Sequence, residues 1–104
     1  MPQSITVTTT AKPLRAAILR QLPHLNHAEH SWWLLGTKGC HLCEVAEQLL
    51  NDLQKVFVID YIKVDIADLD EDLMMQFATQ IPVVLTTTAR LDFPFSVLDL
   101  QKLI

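Results

Sequence analysis

Cys40 and Cys43 are the only two cysteines in this 104-residue chain, and they sit in the run Gly39-Cys40-His41-Leu42-Cys43-Glu44. Three chemistries use such a pair: a redox dithiol, half of a metal site, or a structural disulfide. A bridge closing so short a loop removes little entropy from the unfolded chain, so its value as a staple is low. A zinc site needs further ligands, and the segment "HLNHAEH" supplies His24, His27 and His30 upstream, enough for a Cys2His2 set. On a helix His24 and His27 share a face from which His30 drifts, and no sequence feature brings them to Cys40. Three solvated histidines in a linker are the simpler reading. No metal ligand set and no cofactor is therefore assigned.

The dithiol reading depends on where the pair lies. Leu42, Val45, Ala46, Leu49, Leu50 and Leu53 recur at helical spacing, so the cysteines open a helix. Cys40 then falls in the first turn, where unpartnered N–H groups and the positive end of the helix dipole stabilise a thiolate, the nucleophilic form. Cys43 returns to the same face one turn later and can close a disulfide without unwinding the helix. Cys40 is thus the attacking thiol, and Cys43 resolves the mixed disulfide. A protonated His41 and the nearby Lys38 would each favour the thiolate. Gly39 either lets a partner's sulfur approach or is a simple turn glycine.

The elements that hold this pair can be read around it. "WWLLG" (32–36) is apolar on both faces, as in a central strand covered from both sides. "VIDYIKVDI" (58–66) alternates, with Ile62, Val64 and Ile66 on one face. "ADLDEDLMMQFATQ" follows as a helix, with Asp68 and Glu71 spaced as a capping box and Leu69, Leu73 and Phe77 facing the core. "IPVVLT" opens a short strand at Pro82, and "TTTARLDF" turns back into a second strand, Arg90 to Phe93. "SVLDLQKLI" closes the chain as a helix capped by Ser96. The order is β-α-β-α-β-β-α, with a right-handed parallel crossover first and antiparallel strands after it.

Residues 1–30 read as an N-terminal extension and 31–104 as the domain. The Thr-rich start "MPQSITVTTTAKP" is expected to be mobile. "PLRAAILRQL" is expected to be a short helix, with Pro13 in its first turn, Leu14, Ala17, Ile18 and Leu22 on one face, and Pro23 stopping it. The segment's basic, acid-free character also resembles a transit peptide, but a helix docked on the domain is the simpler reading.

Net charge is −4. Residues 1–28 carry three bases and no acid, and residues 29–104 carry five bases and all twelve acids, so that part of the chain stands at −7. Such a body does not suit nucleic acid, which needs clustered Lys and Arg. Apolar runs of four or five residues are far too short to span a membrane. With no leader pattern at the N-terminus, a reducing cytoplasmic setting and a monomer are expected, and there a C-x-x-C pair is more often catalytic or metal-binding than structural.

Taken together, "WWLLGTKGCHLCEVAEQLL", "YIKVDIADLD" and "QIPVVL" resemble the thioredoxin-like superfamily, and within it the small glutaredoxin-like proteins with a C-H-L-C site, over residues 31–104. The resemblance implies an α/β thioredoxin-like fold, with a four-stranded mixed sheet flanked by helices. It implies a cis Ile81–Pro82 peptide beside the dithiol, with the backbone of Ile81 pairing with bound substrate. It also implies a thiol–disulfide oxidoreductase acting on protein or small-molecule disulfides, with a reductase or glutathione as electron donor. Glutathione-binding glutaredoxins carry a Gly-Gly pair before the last helix, whereas "RLDFPFSVLDL" contains no glycine. Two readings compete with the oxidoreductase. One is the zinc module. The other is a redox-inactive interaction domain, for which Asp65, Asp68, Asp70, Glu71 and Asp72 would be a docking patch, although a solvated helix start accounts for them equally well.

Overall fold

A computed structural model describes residues 6–7 and 11–104. The strands are β1 (Thr6–Val7), β2 (Trp32–Gly36), β3 (Tyr61–Asp65), β4 (Val83–Leu85) and β5 (Ala89–Asp92), and the helices are α1 (Ala11–Gln21), α2 (His41–Gln54), α3 (Glu71–Phe77) and α4 (Val97–Gln101). β2 lies at the centre of a four-stranded mixed sheet, parallel to β3 and antiparallel to β4, which pairs in turn with β5. The two residues of β1 add a fifth strand at the β5 edge. The expectation of a mobile Thr-rich start otherwise concerns residues outside those described, except that Ala11–Pro13 already belong to α1.

β2 shows why "WWLLG" must be apolar throughout. Alternate residues of a strand point to opposite faces. Trp33 and Leu35 enter one core cluster with Val83 and Leu85 of β4, Ile18 of α1 and Leu73 and Phe77 of α3. Leu34 enters the other with Val84, with Ala46, Leu50 and Leu53 of α2, and with Leu100 of α4. The sheet is therefore covered on both faces, α1 and α3 on one side and α2 and α4 on the other. Each fully buried leucine, such as Leu50, contributes roughly 2 kcal/mol.

Several boundaries differ from those expected. β3 is confined to Tyr61–Asp65 because only those residues find partners on β2, and Val58 before it is fully exposed. The α3 cap is Asp70, not Asp68: its carboxylate accepts from the Leu73 amide at 2.9 Å. Residues Ile66–Asp68 form a separate 3-10 turn, and the extended, buried Leu69 delays the helix start. Ser96 caps α4 as expected, with Asp99 completing a capping box.

The helix expected at 13–22 is present as α1 and is fastened by Arg15. One of its guanidinium nitrogens donates to the carbonyls of Ser31 (2.9 Å) and Leu85 (3.1 Å), and the other to that of Glu29 (2.6 Å). The group lies 3.9 Å over the Trp33 ring. Burial pushes the Arg15 pKa down to about 10, with Glu29 acting in the opposite direction. The side chain thus stays charged at neutral pH.

Candidate active site at the start of the second helix

The chain leaves the carboxyl end of β2 at Gly36, turns through Thr37–Gly39 and enters α2. The Cys40 amide donates to the Thr37 carbonyl at 3.4 Å, closing the turn. Gly39 has φ +78°, a left-handed conformation that costs other residues energy, and a Cβ there would meet nothing. Gly39 is therefore needed for the turn and also leaves open space beside Cys40.

Cys40 is the N-cap of α2 rather than a first-turn residue, with extended φ −89° and ψ 104°. Its sulfur accepts from the Cys43 amide at 3.1 Å, in the manner of a capping Ser or Asp oxygen. Cys40 and Cys43 are joined as a disulfide, with Cα atoms 5.2 Å apart. Cys40 is half-buried, while Cys43, at 9% exposure, is the covered partner. Cys43 packs so closely on the end of β2 that a Cβ at Gly36 would stand 2.9 Å from its sulfur. Gly36 faces α2 because it shares the sheet face of Leu34, two residues before it.

A groove of about 320 Å³ runs from the two sulfurs to the end of β3. Lys38, Glu44, Glu47, Lys63 and Asp65 line it with the cysteines. Lys63 reaches Glu47 at 3.3 Å, and the Asp65 carboxylate accepts from the Ala67 amide at 2.9 Å. Glu47 also bears on Tyr61, whose pKa is raised by burial first and by the Glu47 charge second.

Of the residues singled out in the sequence, Lys38, Cys40 and Cys43 meet in this groove. His41 does not line it: its imidazole lies 3.9 Å from Glu44, and both side chains are exposed. Ile81 and Pro82 do not line it either. They precede β4, where Leu35 pairs with Val83, so one further step of that register sets Pro82 across from Gly36. The Ile81–Pro82 peptide is cis, as is Phe93–Pro94, and the Ile81 amide donates to the Phe77 carbonyl at 3.0 Å. Among the described residues no three or more His, Cys, Asp and Glu side chains gather as a metal site, and His24, His27 and His30 do not join the cysteines.

Sequence reasoning missed the part played by Gly36 and by Glu44, Glu47 and Lys63. The glycine ending a strand four residues before Cys40 was a visible signal. The charged residues carried none, because only the fold brings Lys63 beside α2.

Compared with known families, residues 33–104 match the Glutaredoxin-like domain (DUF836). The chain belongs to this glutaredoxin-like family. Comparison with curated proteins and with solved structures gave no match. The family match takes in β2 from Trp33 onward, the dithiol, the groove and Pro82, and leaves the residues before 33 outside it. A redox role fits both the glutaredoxin-like domain and the disulfide geometry of its cysteine pair.

Proposed function

We propose that this glutaredoxin-like protein is a thiol–disulfide oxidoreductase acting on protein or small-molecule disulfides, with Cys40 attacking and Cys43 resolving. The observation that carries the reading is the unequal setting of the two sulfurs. Cys40 sits at the N-cap with an amide aimed at its sulfur, half-open to solvent, whereas Cys43 is covered behind it against Gly36. An amide donor and the helix dipole both favour a thiolate at Cys40, and access favours its attack.

The cycle follows from that asymmetry. The Cys40 thiolate attacks one sulfur of the substrate disulfide, a mixed disulfide forms, and the first substrate thiolate leaves. Cys43, already within bonding reach of Cys40, then attacks the Cys40 sulfur and expels the second. Two electrons pass to the substrate, and the enzyme is left as the Cys40–Cys43 disulfide. A reductase or glutathione returns it to the dithiol. Lys38 adds positive charge beside the attacking sulfur. His41, turned toward Glu44 on the exposed side, would act on Cys40 only through its charge. Ile81 and Pro82, one step past the β2–β4 pairing, would flank the incoming substrate. With the Ile81 amide already engaged by Phe77, its carbonyl is the group that would pair with substrate backbone.

A monomer in the reducing cytoplasm, without nucleic acid or membrane, is the setting this reading favours. It is supported by the acidic charge of −4 and by a domain with a single cysteine pair. Among the described residues, no helix is long and apolar enough to cross a membrane.

The test is alkylation and turnover. In the reduced protein, Cys40 is expected to react with iodoacetamide at least tenfold faster than Cys43 near neutral pH, in line with a favoured thiolate. Cys40→Ser should abolish disulfide reduction, and Cys43→Ser should accumulate a mixed disulfide at Cys40. Turnover that survives Cys40→Ser would remove the assignment.

A further inference from the structure

We infer that the groove selects disulfides flanked by positive charge over disulfides flanked by carboxylates, with Glu44 and Asp65 as the specificity-determining residues. This deepens the oxidoreductase reading above and rests on it.

The charges that line the groove are Lys38, Glu44, Glu47, Lys63 and Asp65. Lys63 and Glu47 neutralise one another at 3.3 Å. Three charges then face an incoming ligand: Lys38, Glu44 and Asp65. Among the described residues, neither Glu44 nor Asp65 has a Lys or Arg partner. Glu44 meets only His41, at 3.9 Å, and Asp65 accepts only the Ala67 amide. The groove is thus left with one uncompensated negative charge.

In the reacting state the Cys40 thiolate adds another, offset only in part by the roughly half charge of the α2 N-terminus. Around it residues 29–104 together carry −7, so the longer-range field has the same sign. Glu44 follows Cys43 directly, and Asp65 ends β3 opposite Gly36 of β2. Both carboxylates thus lie on the β3 side of the cysteines, and groups on that side of a disulfide bound at Cys40 would meet them. A ligand with carboxylates flanking its disulfide has only Lys38 to meet.

The chemistry is the exchange already written. The Cys40 thiolate bonds to one ligand sulfur, the ligand S–S bond breaks, and Cys43 then closes the Cys40–Cys43 disulfide. The ligand leaves as two thiols, carrying two electrons and the protons given up by the two cysteines. Charge on the flanking groups changes only how readily the ligand reaches the groove and settles in it.

The experiment compares three small disulfides against the reduced full-length protein: cystamine (dication), hydroxyethyl disulfide (neutral) and dithiodipropionate (dianion). Each second-order rate is divided by the rate of the same disulfide with dithiothreitol, which removes intrinsic reactivity. The expected order is cation, neutral, anion, with about a tenfold spread between the extremes at low ionic strength. Added salt should compress that spread. Glu44→Gln with Asp65→Asn, both close in shape, should reduce it severalfold, and Glu44→Lys should reduce it further. Glu71→Gln, an exposed acid on α3 outside the groove, should leave it unchanged. A spread near one, or one moved equally by Glu71→Gln and the groove variants, overturns the inference while leaving the oxidoreductase reading in place. If even the neutral disulfide is not reduced, the oxidoreductase reading falls and this inference falls with it.

Discussion

The two ends of β2 hold polar groups in opposite circumstances. Near its start, on the face covered by α1, Arg15 is 7% exposed, and its guanidinium donates to three carbonyls and lies against Trp33. At its other end, on the face covered by α2, Cys40 is half-open and the neighbouring groove contains carboxylates without a basic partner. A buried charge committed to three backbone carbonyls and an aromatic ring serves chiefly to hold the fold in one arrangement. A polar group at a strand's carboxyl end, beside a helix start, keeps unspent capacity for chemistry. The same strand therefore separates the part of the molecule that fixes from the part that can react, and variants at each end should affect different observables.

The largest effect on stability is expected at the closed end. Arg15→Met keeps much of the apolar stem but strands the carbonyls of Ser31, Leu85 and Glu29. A loss of about 3 kcal/mol in urea unfolding follows from removing charged donors to buried acceptors. In the fraction that remains folded, the alkylation rate of Cys40 should not change, because Arg15 does not line its groove. Unaltered stability would mean that α1 is not held by this side chain. A slower Cys40 would mean that the two ends are coupled.

Gly36→Ala probes whether the open end has a packing requirement of its own. The added methyl would stand 2.9 Å from the Cys43 sulfur and 3.2 Å from its Cβ, so the start of α2 must move. A cost of about 2 kcal/mol is expected from such overpacking, together with a change in how readily the dithiol closes. Gly39→Ala is the informative contrast. It meets no atom but holds φ +78°, so it should cost about 1 kcal/mol and leave Cys43 in place. Equal dithiol–disulfide equilibria in the two variants would remove Gly36 from the site.

What could be read in advance follows the range of the interaction. The dithiol at a helix start, the two-faced β2 and the Ser96 cap rest on residues a few positions apart, where periodicity and capping act. The anchoring of α1 does not, since Arg15 meets Ser31 and Leu85 across separations of 16 and 70 residues. Leu42 and Val45 share the helical spacing of Ala46, Leu50 and Leu53, yet they are 48% and 37% exposed. The first turns of α2 lie beyond Gly36, where β2 no longer provides a surface to cover. Asp68 and Asp70 both have the composition of a cap, and only the burial of Leu69 decides between them.

The smallest effect is expected beside the start of β2 but on its α2 face, where Tyr61 of β3, paired with Trp32, donates to the Asn51 side chain of α2 at 2.7 Å. Burial, and then the charge of Glu47, raises the Tyr61 pKa above the usual 10.0. The folded state holds the phenolic proton more tightly than the unfolded chain does. The contribution of this group is therefore fully present below the unfolded value and is lost as pH rises through the folded one. Tyr61→Phe removes the hydrogen bond and should cost about 1 kcal/mol or less near neutral pH. It also removes the titration, so the gap between wild type and variant should narrow in urea melts taken above pH 10, the unfolded value. Glu47→Gln in the wild-type background should weaken the alkaline loss by removing one of its two causes. Parallel stability curves for wild type and Tyr61→Phe across that window would show that Tyr61 ionises no differently in the folded and unfolded chains. The joint between β3 and α2 would then belong with the open end rather than the closed one.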